Sequence, residues 1–567
     1  MFKEERSSLL SLLRFKSNMV SAVVLNILFS VSRILFAFLL MHMTDNLIAG
    51  ALSTFVKNIF FAAGVVIMQS ILMQLSARSV NKYVNKYMIW LRKCIMKGIV
   101  KLPLSAINTE TIESYKTLLN NEILYFEDGF IRARVDIVSA IIFLIISCIA
   151  IAKLNCIFLL ILLATVSMSF LLPNLFNNSV KKANERFLSS NENMVSSNDE
   201  LVNGNRTIQS FGARKLVETL FLKHVILAHK EKESFQNYMT FTNSILVLVS
   251  LFVTFLVFLT GGIMVNNDVI TIGALIAVVQ MSSNIMQPVT EIMYNLNELN
   301  SCAALKSKIS GIAVVESIEE GNVNADNSMT KSIDIHNVSY QYDVDSQGGI
   351  YDLNITFDCN KSYAIVGQNG SGKSTLLKLL TGEIEGYKGV IRIGGYDSLE
   401  LSSEDRFRMM NYIGQQSFLF DADWKDNVTL FGSNEFTQDE SYIKIPGMDS
   451  ILESTRSVLE MSGGEMQKVL LLRALNVTKQ YFIVDEIDSA TDSEAKREIN
   501  CYINSMMNGT RIVVTHNIDD SLSAFDEIVH MDKGRIIERG NLDALLAFDS
   551  EFKKKYHGLI KNAILVS

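Results

Sequence analysis

The chain has 567 residues, of which 49% are hydrophobic, with a formal net charge of −7 and a mean hydropathy of +0.24. This length allows more than one domain, and the apolar runs before residue 290 predict a membrane half followed by a soluble half. The negative charge argues against nucleic acid as the main partner, and six scattered cysteines without paired spacing argue against a cysteine metal site.

Six apolar segments in the first half are candidate membrane helices, since a helix needs about 20 mainly apolar residues to cross a bilayer. They are Met19–Met43, Thr54–Leu75, Ile137–Ala152, Cys156–Leu172, Ser244–Val265 and Val269–Gln287. We expect the fourth to end at Pro173 and the sixth at Pro288. The third and fourth are so close in sequence that they must form a tight hairpin. No small-residue cleavage site follows the first segment, which we therefore interpret as a retained helix.

The connections between these segments differ in length and charge. The three short ones, Thr44–Ser53, Lys153–Asn155 and Asn266–Asp268, contain one basic residue, Lys153. The long ones, Ser76–Asp136 and Asn174–Asn243, are rich in lysine and arginine. The positive-inside rule then places the long connections, both termini and the soluble half in the cytoplasm of a multi-pass plasma-membrane protein.

The long connections contain few glycines and prolines, so we expect helices that project beyond the bilayer. The run Asn203–Ala213 interrupts the second of them and predicts either a knob that seats in the soluble half or a plain surface loop. Within the spans, Arg33 is a charge near the middle of the first. An intramembrane charge usually faces a cavity or a partner. We interpret Arg33 as a cavity residue or as one side of an internal salt bridge.

The run Gly367–Thr375 predicts a phosphate-binding loop, because it follows an apolar strand, Lys361–Val366, and precedes a helix, Thr375–Leu380. Its glycines allow backbone N–H groups to turn toward phosphates, Lys373 can reach the outer phosphates, and Ser374 can offer a hydroxyl to magnesium. The expected phosphate-binding residues are Gly367, Asn369, Gly370, Ser371, Gly372, Lys373, Ser374 and Thr375.

Two further apolar strands end in polar residues suited to phosphoryl transfer to water. Phe482–Val484 is followed by Asp485, a candidate magnesium ligand, and by Glu486, which can activate or orient the attacking water. Arg511–Val514 is followed by Thr515 and His516, and His516 can contact the γ-phosphate. Strands that alternate with helices indicate a mostly parallel sheet with its ligand at the strand carboxyl ends.

These motifs, in this order and with Met461–Glu465 (sequence MSGGE) between them, resemble those of the ATP-binding cassette (ABC) transporters. Six spans followed by one cassette resemble the exporter-type half-transporters, and the resemblance covers nearly the whole chain. It implies an all-α six-helix transmembrane domain at residues 1–310, a linker at 311–331 and an α/β P-loop ATPase domain of the ABC type at 332–567. It also implies ATP and Mg²⁺ as ligands.

The resemblance assigns further roles by position. The residues Ser462, Gly463, Gly464 and Glu465 correspond to the signature that binds the γ-phosphate of ATP held by the opposite subunit, so the chain is expected to form a homodimer or a heterodimer. Tyr342 resembles the aromatic residue that stacks on adenine, and Gln415 the glutamine that meets magnesium. The run Ser489–Asp492 resembles the loop joining two cassettes, and Gly204–Ala213 the second coupling segment.

The chain departs from the family pattern at two places. Glu465 stands where glutamine is usual, a change that we expect to be tolerated, and the usual valine-glycine-glutamate loop is not recognisable in Ser450–Glu460. No peptidase domain is recognisable ahead of the spans, so cleavage of a leader peptide is not expected.

These features predict an ATP-hydrolysing exporter of a peptide, a lipid or an amphipathic small molecule. The alternatives are an importer on an exporter-type scaffold, with a siderophore-like cargo, and a ligand-gated channel or regulatory ATPase. ATP-dependent accumulation in inside-out vesicles would distinguish export from import. The presence of both Glu486 and His516 favours ATP hydrolysis and therefore disfavours the channel.

Overall fold

The structure is a computed structural model, and it describes residues 15–107, 109–314, 331–342, 348–414, 417–436, 447–477, 479–485, 509–516, 518, 520–547, 551–554 and 556. The chain divides into two compact units, Met1–Ile99 with Lys116–Glu316, and Val100–Tyr115 with Ser317–Ser567. In the described part the first unit is helical and the second contains two sheets with helices. The predicted fold class, an all-α domain followed by an α/β domain, is confirmed.

Ten α-helices are described up to residue 314, and three of them are longer than 45 residues. They are α1 (Lys16–Ile48), α2 (Leu52–Val100), α3 (Thr109–Thr117), α4 (Ile123–Phe126), α5 (Ala133–Leu154), α6 (Cys156–Asn203), α7 (Asn205–Ser210), α8 (Arg214–Asn266), α9 (Ile272–Ser301) and α10 (Ala303–Val314). π-Helical turns at Leu118–Glu122 and Glu127–Arg132 join α3, α4 and α5 into one continuous helical run.

Five of the helical runs are long and apolar enough to cross a bilayer. They are Lys16–Ile48, Leu52–Val100, Thr111–Leu154, Arg214–Asn266 and Ile272–Ser301. The remaining predicted span, Cys156–Leu172, lies at the start of α6, where the apolar helical part is the shorter Cys156–Ser169. At 1.5 Å per residue, α2, α6 and α8 are each about 70–80 Å long, so the long connections are helices that outrun a bilayer, as predicted.

The tight hairpin between the third and fourth spans is confirmed. The helix α5 ends at Leu154, Asn155 alone is extended, and α6 begins at Cys156. The Asn155 side chain accepts a hydrogen bond of 2.8 Å from the Ile157 N–H and so caps α6. The predicted break after Asn203 is also present, because the short helix α7 and Gly212 (φ +65°) separate α6 from α8.

The predicted helix ends at the two prolines were wrong. The helix α6 continues through Pro173 to Asn203, and α9 contains Pro288 within its length. A proline removes one backbone hydrogen bond, but membrane helices tolerate the loss where neighbouring groups satisfy the freed carbonyl. Proline was therefore a poor marker of the end of a helix in this unit.

In the part of the second unit that follows residue 330, the structure describes ten strands and six α-helices. The strands are β1 (Ile333–Gln341), β2 (Gly349–Phe357), β3 (Ser362–Val366), β4 (Lys388–Ile393), β5 (Tyr396–Asp397), β6 (Met410–Ile413), β7 (Tyr481–Asp485), β8 (Thr510–Thr515), β9 (Glu527–Asp532) and β10 (Arg535–Gly540). The helices are α11 (Lys373–Thr381), α12 (Ser403–Met409), α13 (Trp424–Thr429), α14 (Asp449–Leu452), α15 (Gly463–Leu475) and α16 (Leu542–Ala547).

The larger sheet has the order β10-β9-β3-β8-β7-β6 and is parallel except for the pair β9–β10. Its central strands are buried on both faces. Ala364 and Val366 of β3 belong to one apolar core, and Tyr363 and Ile365 belong to the core on the other side. This two-sided burial explains why β3, β7 and β8 are continuous apolar runs in the sequence. The smaller sheet, β2-β1-β4-β5, is antiparallel.

In the first unit a carboxylate joins the carboxyl end of α1 to the amino end of α9. Asp45 accepts hydrogen bonds of 2.9 Å from the Thr271 hydroxyl and of 2.9 Å from the Gly273 N–H. Gly273 is buried, and a Cβ added there would lie 2.3 Å from the Met41 carbonyl oxygen. The close approach of the two helices therefore requires glycine at position 273.

Substitution Gly273→Ala is expected to lower the Tm of the purified protein by about 1–5 °C, because overpacking against a backbone atom costs about 1–3 kcal/mol. The matched control is Gly262→Ala in α8, where an added Cβ would meet no atom within 4 Å. Thermal unfolding of both variants in detergent tests this, and equal Tm values would contradict the proposed contact.

Candidate functional site

The loop between β3 and α11 has the shape of a phosphate cradle. Gly370 (φ +79°) and Gly372 (φ +101°) adopt left-handed backbone conformations, which favour glycine. Gly372 is the N-cap of α11, so the loop leads directly into the amino end of a helix. A Cβ at Gly367 would lie 2.4 Å from the Met531 carbonyl oxygen, so glycine is required there by space. Helix amino ends of this kind attract phosphate through their N–H groups and dipole.

Lys373 is folded back into this loop. Its side chain is only 4% exposed, and Nζ donates hydrogen bonds to the carbonyl oxygens of Gly367 (2.8 Å) and Gln368 (3.2 Å). The same nitrogen lies 3.4 Å from Nδ1 of His516. Thus the structure brings together two predicted site residues that are 143 positions apart in the chain.

The strand ends place further predicted residues at the same edge. In the parallel register Val366 pairs with Thr515 and Asp485 pairs with Val514, so β3, β7 and β8 end side by side. Asp485 and Thr515 are buried, whereas His516 and Ser374, at the start of α11, are exposed. Glu486, Gln415 and the run 489–492 lie outside the described residues.

Tyr342 lies next to the phosphate loop. Its hydroxyl is 3.4 Å from Oγ1 of Thr375, and its ring packs edge-on against Tyr340 with the ring centroids 5.1 Å apart. Tyr342 remains 47% exposed, whereas Thr375 is buried. A half-exposed aromatic ring beside the loop provides a flat surface on which a nucleotide base can stack.

The residues from Ser462 form the capped amino end of α15. The Ser462 hydroxyl accepts from the Glu465 N–H (3.4 Å), and Glu465 Oε2 accepts from the Ser462 N–H (2.8 Å), which is a capping box. Ser462 and Gly463 are exposed, and Gly464 is partly exposed. This thirteen-residue helix therefore presents its positive end and two glycine N–H groups at the surface.

The structure gives a physical reason for glutamate at position 465. Oε1 of Glu465 accepts a hydrogen bond of 2.6 Å from Arg456, while Oε2 is held by Ser462. The hydrogen bonds from the Ser462 backbone and side chain, aided by the charge of Arg456, lower the pKa of the Glu465 carboxyl. Arg456 was not among the predicted site residues, because a lone arginine nine positions upstream has no recognisable pattern.

Sequence reasoning also missed Arg473, near the carboxyl end of α15. Its guanidinium donates to the Phe418 carbonyl (2.8 Å) and to the backbone and side-chain oxygens of Asn427 (2.7 and 2.9 Å). Arg473 thus connects α15 by hydrogen bonds to the segment that contains Phe418 and Asn427. An arginine directly after the apolar run Val469–Leu472 was the available signal in the sequence.

The donor set of this edge fits a magnesium ion. Ser374 supplies a hydroxyl oxygen and Asp485 a carboxylate oxygen, and Mg²⁺ prefers oxygen ligands, of which the protein usually provides only one or two beside the phosphates. Within the described ranges there is no cluster of three or more His, Cys, Asp or Glu side chains that would hold a metal by protein ligands alone.

Comparison with known proteins gives matches in both halves of the chain. Residues 19–289 match the family model described as "ABC transporter transmembrane region", and residues 350–489 match the model described as "ABC transporter". A solved structure, "Structure of a bacterial Atm1-family ABC exporter with ATP bound", has a TM-score of 0.79 and 18% sequence identity, and covers 96% of this chain and 98% of its own. That likeness concerns the fold.

Two curated relatives are similar in sequence. The "Lactococcin-A transport/processing ATP-binding protein" of Lactococcus lactis subsp. lactis is 27% identical over 55% of this chain and 44% of its own length. The "Probable multidrug resistance ABC transporter ATP-binding/permease protein" of Bacillus subtilis (strain 168) is 24% identical over 88% of this chain and 75% of its own. The matched region thus spans about half the length of the first of these relatives.

Substitution Lys373→Ala is expected to weaken binding of a fluorescent ATP analogue by about 10- to 100-fold, because charge-assisted hydrogen bonds contribute about 1.5–3 kcal/mol. The control is Lys378→Ala, five residues later on the same helix. Fluorescence titration of the full chain measures both affinities. Unchanged affinity in the Lys373 variant would show that nucleotide phosphates do not bind at this loop.

Proposed function

The chain belongs to the ABC transporter family, and from this premise we propose that it is an ATP-hydrolysing membrane exporter that works as a dimer. The observation that carries the proposal is that one unit contains two helix amino ends, which we propose as complementary phosphate-binding surfaces. One is the loop that contains Lys373, with His516 beside it, and the other is the exposed, capped end of α15 at Ser462. The helical unit supplies the membrane spans.

The proposed reaction is attack of water on the γ-phosphorus of ATP, with ADP as the leaving group. Lys373 would exchange its bonds to the loop carbonyls for bonds to the outer phosphates and neutralise part of their charge. Glu486 would orient the water and accept its proton, and His516 would contact the γ-phosphate. Magnesium, held by Ser374, Asp485 and Gln415, would supply further charge neutralisation. Tyr342 would stack on the base.

The dimer follows from the second phosphate-binding surface. We propose that Ser462, Gly463 and Gly464 of one chain contact the γ-phosphate of ATP bound to the loop of its partner. The capping box leaves these groups at the surface, with the helix dipole directed outward. Because the sequence contains both the signature run and Glu486, a homodimer would have two competent sites. A heterodimer with a second half-transporter would be built in the same way.

The proposed cargo is a peptide, a lipid or an amphipathic small molecule. The names of the two relatives refer to lactococcin transport and to multidrug resistance. We propose that the cargo leaves the cytoplasm, because six spans followed by one cassette resemble the exporter-type half-transporters. The lysine- and arginine-rich long connections favour a cytoplasmic ATPase unit, on the side of the plasma membrane where ATP is available. Differential affinity of the cargo for the two membrane conformations would set the direction of transport.

Substitution Glu486→Gln is expected to reduce ATP turnover by at least about 100-fold while ATP affinity stays within about threefold of wild type, since an amide cannot accept the proton from water. Phosphate release and nucleotide binding are measured on the same preparation in nanodiscs. Glu404→Gln, an exposed carboxylate paired with Arg408 on α12, is the control and should hydrolyse ATP normally. Undiminished turnover in the first variant would remove Glu486 from the mechanism.

The membrane topology can be tested with single cysteines in a background that lacks the six native ones. A cysteine at Asn267, in the short connection before α9, should react with an impermeant maleimide added to intact cells. A cysteine at Phe211, which is 82% exposed near the break between α6 and α8, should react only after permeabilisation. The reverse labelling pattern would place the ATPase unit outside the cell and contradict the proposal.

A further inference from the structure

The helical unit contains a cavity of about 420 Å³ between α1, α2, α5 and α9. Charged side chains of both signs line it, namely Arg33, Arg132, Asp136 and Glu291. A volume of this size suits a small molecule or the head group of a larger one. Arg33 lies near the middle of the first span, where an ionisable group costs about 2.5–3.5 kcal/mol and usually marks a functional site.

Four neutral polar side chains of the cavity, Asn26, Ser30, Ser76 and Ser139, form hydrogen bonds within the protein. The Ser76 hydroxyl donates to the Asn26 side-chain oxygen, and the Asn26 side-chain nitrogen donates to the Ser139 hydroxyl (2.8 Å). Ser139 and Ser30 in turn donate to backbone carbonyls. These groups form a closed chain of hydrogen bonds, so they require no ligand.

The arginines are also engaged. Arg132 donates from Nε to Asp128 (3.1 Å) and from Nη1 to the Asn81 side-chain oxygen (3.0 Å), so its charge is shared with a carboxylate that does not line the cavity. The Arg33 guanidinium lies over the ring of Phe143, 4.3 Å from the centroid. Of the two interpretations of Arg33 from the sequence, a cavity residue or a salt-bridge partner, we propose the cavity residue.

The two carboxylates differ from these hydrogen-bonded serines, asparagine and arginines. In the part of the chain that the structure describes, neither Asp136 nor Glu291 makes a hydrogen bond or a close ion pair. Both are partly buried and line the same cavity, where their like charges repel each other, while Arg132 attracts Asp136 and Arg33 attracts Glu291. When Asp128, which shares the charge of Arg132, is counted with the lining residues, two arginines face three carboxylates, and this group of side chains carries an excess of one negative charge.

We propose that Asp136 and Glu291 bind a positively charged group of the cargo, a primary ammonium or a guanidinium, in this cavity. Such a group has several donors, which match the acceptor-only oxygens of two carboxylates. The apolar stem of the cargo would lie along Phe29, Phe143 and Met73, which line the same cavity. This inference rests on the proposed function and narrows the cargo to cationic amphiphiles.

The test uses the full chain in nanodiscs and two fluorescent probes that share the dansyl group and its five-carbon chain and differ only in the terminal nitrogen group. Dansylcadaverine carries a primary ammonium, and its N-acetyl derivative is neutral. Emission is titrated against protein, with partition into empty nanodiscs subtracted. We expect wild type to bind dansylcadaverine at least about tenfold more tightly than the acetyl derivative, since loss of one charged contact costs about 1.4 kcal/mol or more.

The variants Glu291→Gln and Asp136→Asn should each lose about tenfold in affinity for dansylcadaverine and bind the neutral probe as wild type does. The matched control is Glu298→Gln, which changes a carboxylate two turns along α9 that does not line the cavity. It should keep the wild-type preference. Binding of the neutral probe and basal ATP hydrolysis show that each variant is folded.

Equal affinity of wild type for the two probes would overturn the inference, and this comparison needs no substitution. Wild-type ammonium affinity in either cavity variant would overturn it as well. The result is separable from the proposed function. Selective ammonium binding without ATP hydrolysis would retain this site and end the proposed function. If the wild type hydrolysed ATP, lost turnover on Glu486→Gln and bound both probes equally, the proposed function would be retained and the cavity site would be rejected.

Discussion

A buried ammonium group organises the nucleotide-binding edge of the second unit. Lys373 is held within its own loop by hydrogen bonds to two carbonyl oxygens. It lies beside His516, which follows β8 far along the chain. The backbone can surround the lysine because glycines adopt left-handed conformations at positions 370 and 372. The sheet order brings the ends of β3, β7 and β8 to this point. A nucleotide phosphate would therefore displace carbonyl oxygens from a cation that is already in place, and the loop requires little rearrangement.

Much of this edge could be predicted because its signals are local. Buried parallel strands are apolar runs, so the sequence located β3, β7 and β8 to within one residue at each end. The phosphate loop needs glycine and lysine at fixed spacing for steric and electrostatic reasons, which makes it recognisable in one sequence. The hydrogen bonds of Arg456 and Arg473 were not predictable, since each depends on which loop the tertiary structure brings alongside α15.

Less of the helical unit could be predicted, because its features depend on packing between distant helices. Hydropathy located the spans, but the prolines at 173 and 288 gave wrong helix ends. The free energy that a proline costs a membrane helix depends on whether neighbouring groups in the fold satisfy the freed carbonyl, and the local sequence does not show this. The cavity between four helices was also beyond prediction. Arg33 alone was conspicuous as an intramembrane charge, whereas Asp136 and Glu291 lie near span boundaries, where acidic residues are unremarkable. Their significance comes from packing that brings α1, α5 and α9 together.

The single residue between α5 and α6 has a consequence for biogenesis. Asn155 caps α6 as soon as the chain turns, so the ends of two hydrophobic helices stay within a few ångströms of each other. Neither helix can be released into lipid independently of its neighbour. The membrane insertion machinery must accept the two as one hairpin, with the polar Asn155 crossing the hydrocarbon layer at its tip.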